Sequence, residues 1–429
     1  MPNPRELGTY DLFLEYDGLK YGLILHRDEG GNPAWFPGLA PDLQPQFGTG
    51  GYGYELTPSQ IDIPLSWQDF GKGAGFQDDP DETPNANSRA YSYSRCVDAS
   101  ERGRVYLGPL QNDLAGVAAC DNPEKFWHFS EGGIFLIAGN AIYEYVAACD
   151  TWTSRQATAD GNAIDITEFN GVMYVSQAGG AYYYSTCGTT WVKSTLSSAT
   201  PRPAYWATRD DVLWYVNATG GVANTTNGIN CGVAWSAEDS VGHSSEAVRG
   251  LKELDGDLYV FKCEGIYRYT GSSTEDVWLG GATYRRTTNG FQPYVWVDGN
   301  TYVPYHDRLM RFRHGDAQLD FVFPTRDMRG HPELNGQISA IAGDGNWLYI
   351  MVQNSAGNTY LMRGNPYRRD GIGEWHTYAY LGACVSEAMI ITGPTTDFEQ
   401  TSNPHIIYQK GSGSGADTAH IILPRSGLR

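Results

Sequence analysis

The chain has 429 residues, with 52 Gly, 29 Tyr and 12 Trp, only 18% charged residues and a net charge of -19. Such a composition belongs to many short strands joined by tight turns and stiffened by aromatics. It excludes a helical class, because no window of a dozen residues keeps a 3.6-residue period free of Gly or Pro. The acidity excludes nucleic acid, which requires Lys and Arg clustered over a face, and no apolar run approaches the ~18 residues that cross a bilayer, so no membrane insertion is expected.

The first residues, Met1-Pro2-Asn3-Pro4-Arg5-Glu6, carry no apolar core of a secretory signal, and the expectation is a protein made in the cytoplasm. Residues 1–90 read as an irregular N-terminal β arm or small β-region that docks on the remainder of the chain or on neighbouring chains. Two apolar runs, Leu12-Phe13-Leu14 and Tyr21-Gly22-Leu23-Ile24-Leu25, flank Asp17-Gly18, which signals a two-residue hairpin. Next come a Gly/Pro-rich passage, a strand at Ile61-Asp62-Ile63-Pro64-Leu65-Ser66-Trp67 and an acidic loop over residues 77–87.

A repeat occupies residues 91–429. Its marker is an apolar residue followed by an aromatic, entered from a turn: Val105-Tyr106, Ile134-Phe135, Met173-Tyr174, Leu213-Trp214, Leu258-Tyr259, Thr301-Tyr302, Leu348-Tyr349 and Ile407-Tyr408. Successive aromatics are 29, 39, 40, 45, 43, 47 and 59 residues apart, and the central spacings match a four-stranded propeller blade. A second series runs in phase through Trp152, Trp191, Trp235, Trp278 and Trp375, with Phe321 near the gap. An isolated unit of this kind cannot bury both faces of its sheet, so the units must stack and close. The expected fold is all-β, a β-propeller of seven four-stranded blades, with six or eight as alternatives. A blade made from both ends of the chain would close the ring.

No motif points to catalysis. Gly48-Thr49-Gly50-Gly51-Tyr52-Gly53 fits a dinucleotide pattern formally, but it lacks the preceding strand and the following helix. Asp78, Asp79, Asp81 and Glu82 lack the turn glycine of a calcium loop. Seven cysteines without CxxC, and nine scattered histidines, give neither a zinc site nor a disulfide framework. No metal or cofactor is therefore expected. His243-Ser244-Ser245 beside Asp239 and Glu246 lacks a nucleophile elbow and an oxyanion hole. Arg202, His243, Arg285, Arg286, Arg326 and Arg329 fall in segments that join one blade to the next, and these are the candidate partner or glycan contacts.

Ser185-Thr186-Cys187-Gly188-Thr189-Thr190-Trp191 resembles the Asp-box of sialidase-like propellers, a turn between the third and fourth strands of a blade. It is one residue short and has Cys187 where the box has aspartate. In that family the box is structural. A sialidase also needs three arginines converging on a carboxylate, and its Phe/Tyr-Arg-Ile-Pro signature is missing here.

The whole plan resembles tail-associated virion proteins of tailed bacteriophages. The likeness rests on the irregular arm, the Ile63-Pro64-Leu65-Ser66-Trp67-Gln68-Asp69-Phe70-Gly71-Lys72-Gly73 passage and the degenerate aromatic blades. It implies a non-enzymatic structural protein of a phage-like particle, oligomeric within a larger assembly and bound to other virion proteins. Such a protein is made in the host cytoplasm, is extracellular after release, and takes part in assembly and attachment to a host-surface glycan. The alternatives are a glycan-binding or glycan-cleaving propeller and an extracellular cell-surface repeat protein.

Overall fold

The computed structural model describes residues 12–16, 19–27, 33–39, 73–74, 90–91, 97–98, 106–107, 109, 111–114, 123–194, 202–227, 229, 235–271, 273–278, 293–305, 307–315, 319–324, 336–367, 374–382, 389–392, 405–410 and 417–422. The expected strand at residues 61–67, the acidic loop at 77–87, the glycine run at 48–53 and the loop arginines Arg285, Arg286, Arg326 and Arg329 lie outside them. The chain divides into two compact units, one of residues 1–93 with 99–106 and one of residues 94–98 with 107–429.

In the first unit, Leu12–Tyr16, Leu19–Arg27 and Pro33–Leu39 form an antiparallel meander. Tyr16 pairs with Leu19, the register that a two-residue Asp-Gly turn sets.

The second unit contains seven four-stranded antiparallel sheets. Six take four consecutive strands each, over residues 123–157, 163–193, 203–240, 248–278, 294–323 and 336–382, and are numbered here as blades 1 to 6. Blade 7 is composite. Its first three strands are Met389–Thr392, His405–Lys410 and Asp417–Ile422, and its outermost is Gln111–Leu114 from far upstream. Both ends of the propeller unit thus meet in one sheet, which removes the open ends that a linear array would leave. The hairpin strands of the arm do not complete a blade.

The first strands of blades 1 to 4 lie side by side, and Met389–Thr392 packs against the first strands of both blade 6 and blade 1. Gly250 of blade 4 abuts Pro293 at the start of blade 5, and Trp296 of blade 5 donates its indole N–H to Asp344 O of blade 6 at 2.6 Å. These neighbours close the ring.

Both sequence series acquire a place in the blade. Seven of the eight aromatic pairs, from Ile134-Phe135 to Ile407-Tyr408, sit on the second strand of their blade. The eighth, Val105-Tyr106, does not mark a blade. Tyr106–Leu107 is a two-residue strand outside the seven sheets, and the four-residue strand just after it is taken up as the edge of blade 7. The tryptophan series, with Phe321, falls on or shortly before the fourth strand.

The second-strand aromatics Phe135, Tyr174, Tyr259, Tyr302, Tyr349 and Tyr408 are fully buried, each worth about 1.5–3 kcal/mol of removal from water. Phe135, Tyr174, Tyr259, Tyr349 and Tyr408 lie in clusters that span two blades. One cluster joins Phe129, Phe135, Ile137 and Ile142 of blade 1 to Ile166, Met173, Tyr183 and Trp191 of blade 2. Another seats Ile407 of blade 7 on Phe126, Ile134, Leu136 and Tyr145 of blade 1.

Turn chemistry fixes the hairpins. Asn170-Gly171, Asp210-Asp211 and Asp255-Gly256 take positive φ between the first and second strands of blades 2, 3 and 4. That is the two-residue geometry that matches strand twist, and Asn, Asp and Gly tolerate it best.

Candidate functional site

Antiparallel order places the blade-to-blade connections and the second-to-third-strand turns on one face of the ring. The other two turns of each blade lie on the opposite face. Arg202 and His243, the two candidates among the described residues, are both exposed and both belong to the connection face. No hydrogen bond or ion pair joins them. Among the described residues Arg202 has no ion-pair partner, whereas His243 lies in a built structure.

That structure is the connection from blade 3 to blade 4. Lys262 ends the second strand of blade 4 and is buried at 1% exposure. Its ammonium donates to three backbone carbonyls, Thr219 O at 3.3 Å, Val241 O at 3.1 Å and His243 O at 2.5 Å. Three donors meet three acceptors, which offsets the cost of burying the charge. Burial lowers the Lys262 pKa, and Glu264 at 4.0 Å opposes that shift.

Glu264 accepts the His243 N–H at 2.9 Å and the Tyr267 hydroxyl at 2.6 Å. Burial pushes its carboxyl up, but these hydrogen bonds and Lys262 hold it below the ordinary range. The Tyr267 hydroxyl is raised by burial and by Glu264. Both backbone polar groups of His243 are therefore pinned by the turn of the next blade.

The packing leaves no room for side chains at two glycines. A Cβ on Gly220 would stand 2.4 Å from Val241 O, and one on Gly242 would stand 2.7 Å from the Tyr267 ring.

The hydrolase constellation does not assemble. His243 Nδ1 does meet Ser245 Oγ at 2.8 Å, and it also accepts the Ser245 N–H at 3.3 Å. This is a local turn two residues long. The Asp239 carboxylate that a triad would need accepts the Tyr269 hydroxyl instead.

The Asp-box-like turn lies between the third strand Tyr183–Ser185 and the fourth strand Val192–Lys193 of blade 2. Ser185 Oγ receives Gly188 N–H at 2.8 Å and donates to Thr190 O at 2.6 Å, while Trp191 Nε1 donates to Gly188 O at 2.7 Å. Gly188 has φ +74, and a Cβ there would stand 2.4 Å from Phe135 Cζ of blade 1. Hence the turn serves packing between blades.

Cys187 is exposed. Its thiol is brought down to about 7 by the Thr189 hydroxyl and the backbone of Thr190 and Thr189. Donors that would face a carboxylate in the Asp-box here face sulfur.

No family model matches the chain, and no curated protein matches it. Solved structures do. Virginiamycin B lyase from Staphylococcus aureus aligns with a TM-score of 0.52 at 12% identity, over 73% of this chain and 99% of that one. YCF48 bound to D1 peptide aligns at 0.50 and 14% identity, over 76% and 98%. U3-55K aligns at 0.52 and 9% identity, over 74% and 100%. The fold is a β-propeller. At such identities the likeness carries the fold alone, and an enzyme stands beside a peptide complex among propellers of this shape.

Sequence reasoning found His243 through its place between two blades and missed Lys262 and Glu264. Each is one charged residue in a strand or turn, and only the neighbouring blade shows what it holds.

Proposed function

We propose that this chain is a non-enzymatic, protein-binding propeller that serves as a structural component of a phage-like virion. The observation that carries the reading is the connection between blades 3 and 4. A buried lysine on three carbonyls and a carboxylate on two donors fix an exposed loop in place. A preformed loop loses little conformational freedom on docking, which favours a protein partner. YCF48, of the same fold, has been seen with a peptide bound. The virion setting comes from the resemblance of the arm and blades to tail-associated proteins, and its partners would be other particle proteins, with Arg202 and His243 among the contacts.

A host-surface glycan is the second reading, favoured by one feature of blades 5 and 6. Tyr367 is 47% exposed and stacks on Trp296 at 6.4 Å and 15°. Its hydroxyl reaches Asp298 Oδ2 at 2.6 Å and accepts from Asn300 at 2.8 Å. Exposed aromatics beside fixed polar groups are what sugars recognise.

Mass photometry of the full chain, with a glycan array and immunogold labelling of released particles, tests the choice. Particle labelling and oligomeric species are the expected result. A stable monomer that binds sugars and never labels particles would overturn the structural role.

A further inference from the structure

At the junction of blades 5 and 6, three turns are tied into one surface on the face of the ring opposite to His243. They are the first turn of blade 5 (residues 296–300), the first turn of blade 6 (residues 344–347) and the end of the third strand of blade 6, where Asn365 leads into Tyr367. Trp296 donates to Asp344 O, as above, and Tyr294 donates its hydroxyl to Gly343 O at 3.2 Å. Asn365 donates to Asn346 O at 2.8 Å, and its Oδ1 takes the Tyr367 N–H at 2.9 Å. A Cβ on Gly343 would stand 2.5 Å from Trp296 Cδ1, so packing closes the junction as well.

Asp298 collects the donors of this surface. Its Oδ2 takes the Tyr302 hydroxyl at 2.7 Å, the Tyr367 hydroxyl at 2.6 Å and a side-chain N–H of Asn300 at 2.9 Å, while its Oδ1 takes the Asn300 backbone N–H at 3.0 Å. A carboxylate only accepts, so it fixes which way the Asn300 amide points. Asn300 Nδ2 also donates to the Tyr367 hydroxyl oxygen at 2.8 Å. The Gly299 N–H is spent on Trp296 O at 3.0 Å. Burial and Asp298 raise the Tyr367 pKa, which keeps its proton on that bond. The side-chain donors of Asn300, Tyr302 and Tyr367 are thus all placed, and Asn300 Oδ1 is left as an acceptor without a partner among the described residues.

Apolar surface lies beside that acceptor. Tyr367 is 47% exposed, and Val297, 68% exposed, stands between Trp296 and Asp298 in the same turn. Arg311 lies 5.0 Å from the centre of the Tyr367 ring, but it is 7% exposed and pairs with Asp320 at 2.9 Å.

We propose, on the glycan reading of this site, that it takes a neutral pyranose and excludes acidic sugars. A neutral sugar has ring C–H groups to cover the exposed tyrosine and valine, and hydroxyls to donate to Asn300 Oδ1. A sialic or uronic acid brings a carboxylate, which needs donors; here it meets spent donors and the charge of Asp298. An ammonium group is disfavoured too, because Arg311 already holds the cation position at the Tyr367 ring.

The test is saturation-transfer NMR on the full chain with methyl glycosides of glucose, galactose, mannose and N-acetylglucosamine, and with N-acetylneuraminic acid, glucuronic acid and glucosamine. At least one neutral glycoside should bind, with a Kd on the order of 1 mM, and Tyr367→Ala should weaken it about tenfold. Val297→Arg, at a position too exposed to disturb the fold, should do the same and decides the matter if Tyr367→Ala unfolds. A neutral glycoside whose Kd is the same in the folded variants and the wild type would lie elsewhere and overturn the site. Binding of an acidic sugar or of glucosamine that these variants abolish would overturn the neutral preference and leave the glycan reading standing. Binding of none of these sugars would overturn both.

Discussion

Lys125 Nζ lies 2.7 Å from Asp165 Oδ1, across the junction of blades 1 and 2. The other oxygen of Asp165 takes the Trp206 N–H of blade 3 at 3.0 Å. One buried carboxylate therefore ties the first strands of three blades together. Asp165→Asn keeps the shape but leaves Lys125 without its counter-charge. The expected cost is about 3 kcal/mol in urea unfolding at pH 7. A loss below about 0.5 kcal/mol, the usual range for an unimportant surface change, would show the pair to be incidental.

Lys262→Met keeps the unbranched apolar stem of the side chain and removes all three donors. Three carbonyls then lose this donor, and among the described residues only His243 O keeps another, the Glu246 N–H at 3.2 Å, so the expected cost is about 2–4 kcal/mol in total after partial relaxation. The connection that carries His243 should loosen before the rest. Hydrogen exchange at residues 241–247 is expected to rise more than exchange in blade 6, and equal changes in both would mean that the lysine stabilises only globally.

Cys187 should be alkylated by iodoacetamide with a midpoint near pH 7, because its thiol sits at about 7. The sign of the linked stability comes from that lowering. The fold favours the thiolate, so this contribution is present above the ordinary thiol pKa near 9 and is lost as pH falls through about 7. Thr189→Val removes the largest cause and should move the alkylation midpoint upward. An unchanged midpoint would mean that the hydroxyl does not reach the sulfur in solution.

Ile407 of blade 7 is fully buried against blade 1, so ring closure can be tested at one residue. Ile407→Ala should cost about 2–5 kcal/mol, the usual range for a core truncation. Val192→Ala, at a 42% exposed position of blade 2, should stay within about 0.5 kcal/mol. Equal thermal shifts for the two variants would argue that blade 7 does not seat on blade 1.

Much of the ring was legible in the residues. The pairs Met173-Tyr174 and Leu258-Tyr259 recur because every second strand must bury an aromatic between neighbouring sheets. Trp191 and Trp375 recur near the fourth strand for a similar reason, as when Trp375 Nε1 donates across the junction to Val322 O at 2.7 Å. The Val105-Tyr106 pair misled because an apolar residue next to an aromatic also arises outside a blade. Its two-residue strand is too short to supply a hairpin.

The sequence by itself determined the period, the strand-and-turn class and the place of the Asp-box-like turn, since each is written in spacing and in local turn chemistry. The folded ring alone shows that Gln111–Leu114 completes blade 7, that Lys262 serves the connection bearing His243, and that Lys125 and the Trp206 amide meet on Asp165. Asp165 stands 41 positions from the Trp206 amide that it holds, and Leu114 finds its partner Thr418 near the opposite end of the unit. No periodicity in a one-dimensional chain encodes which charged side chains the closing of a ring brings together.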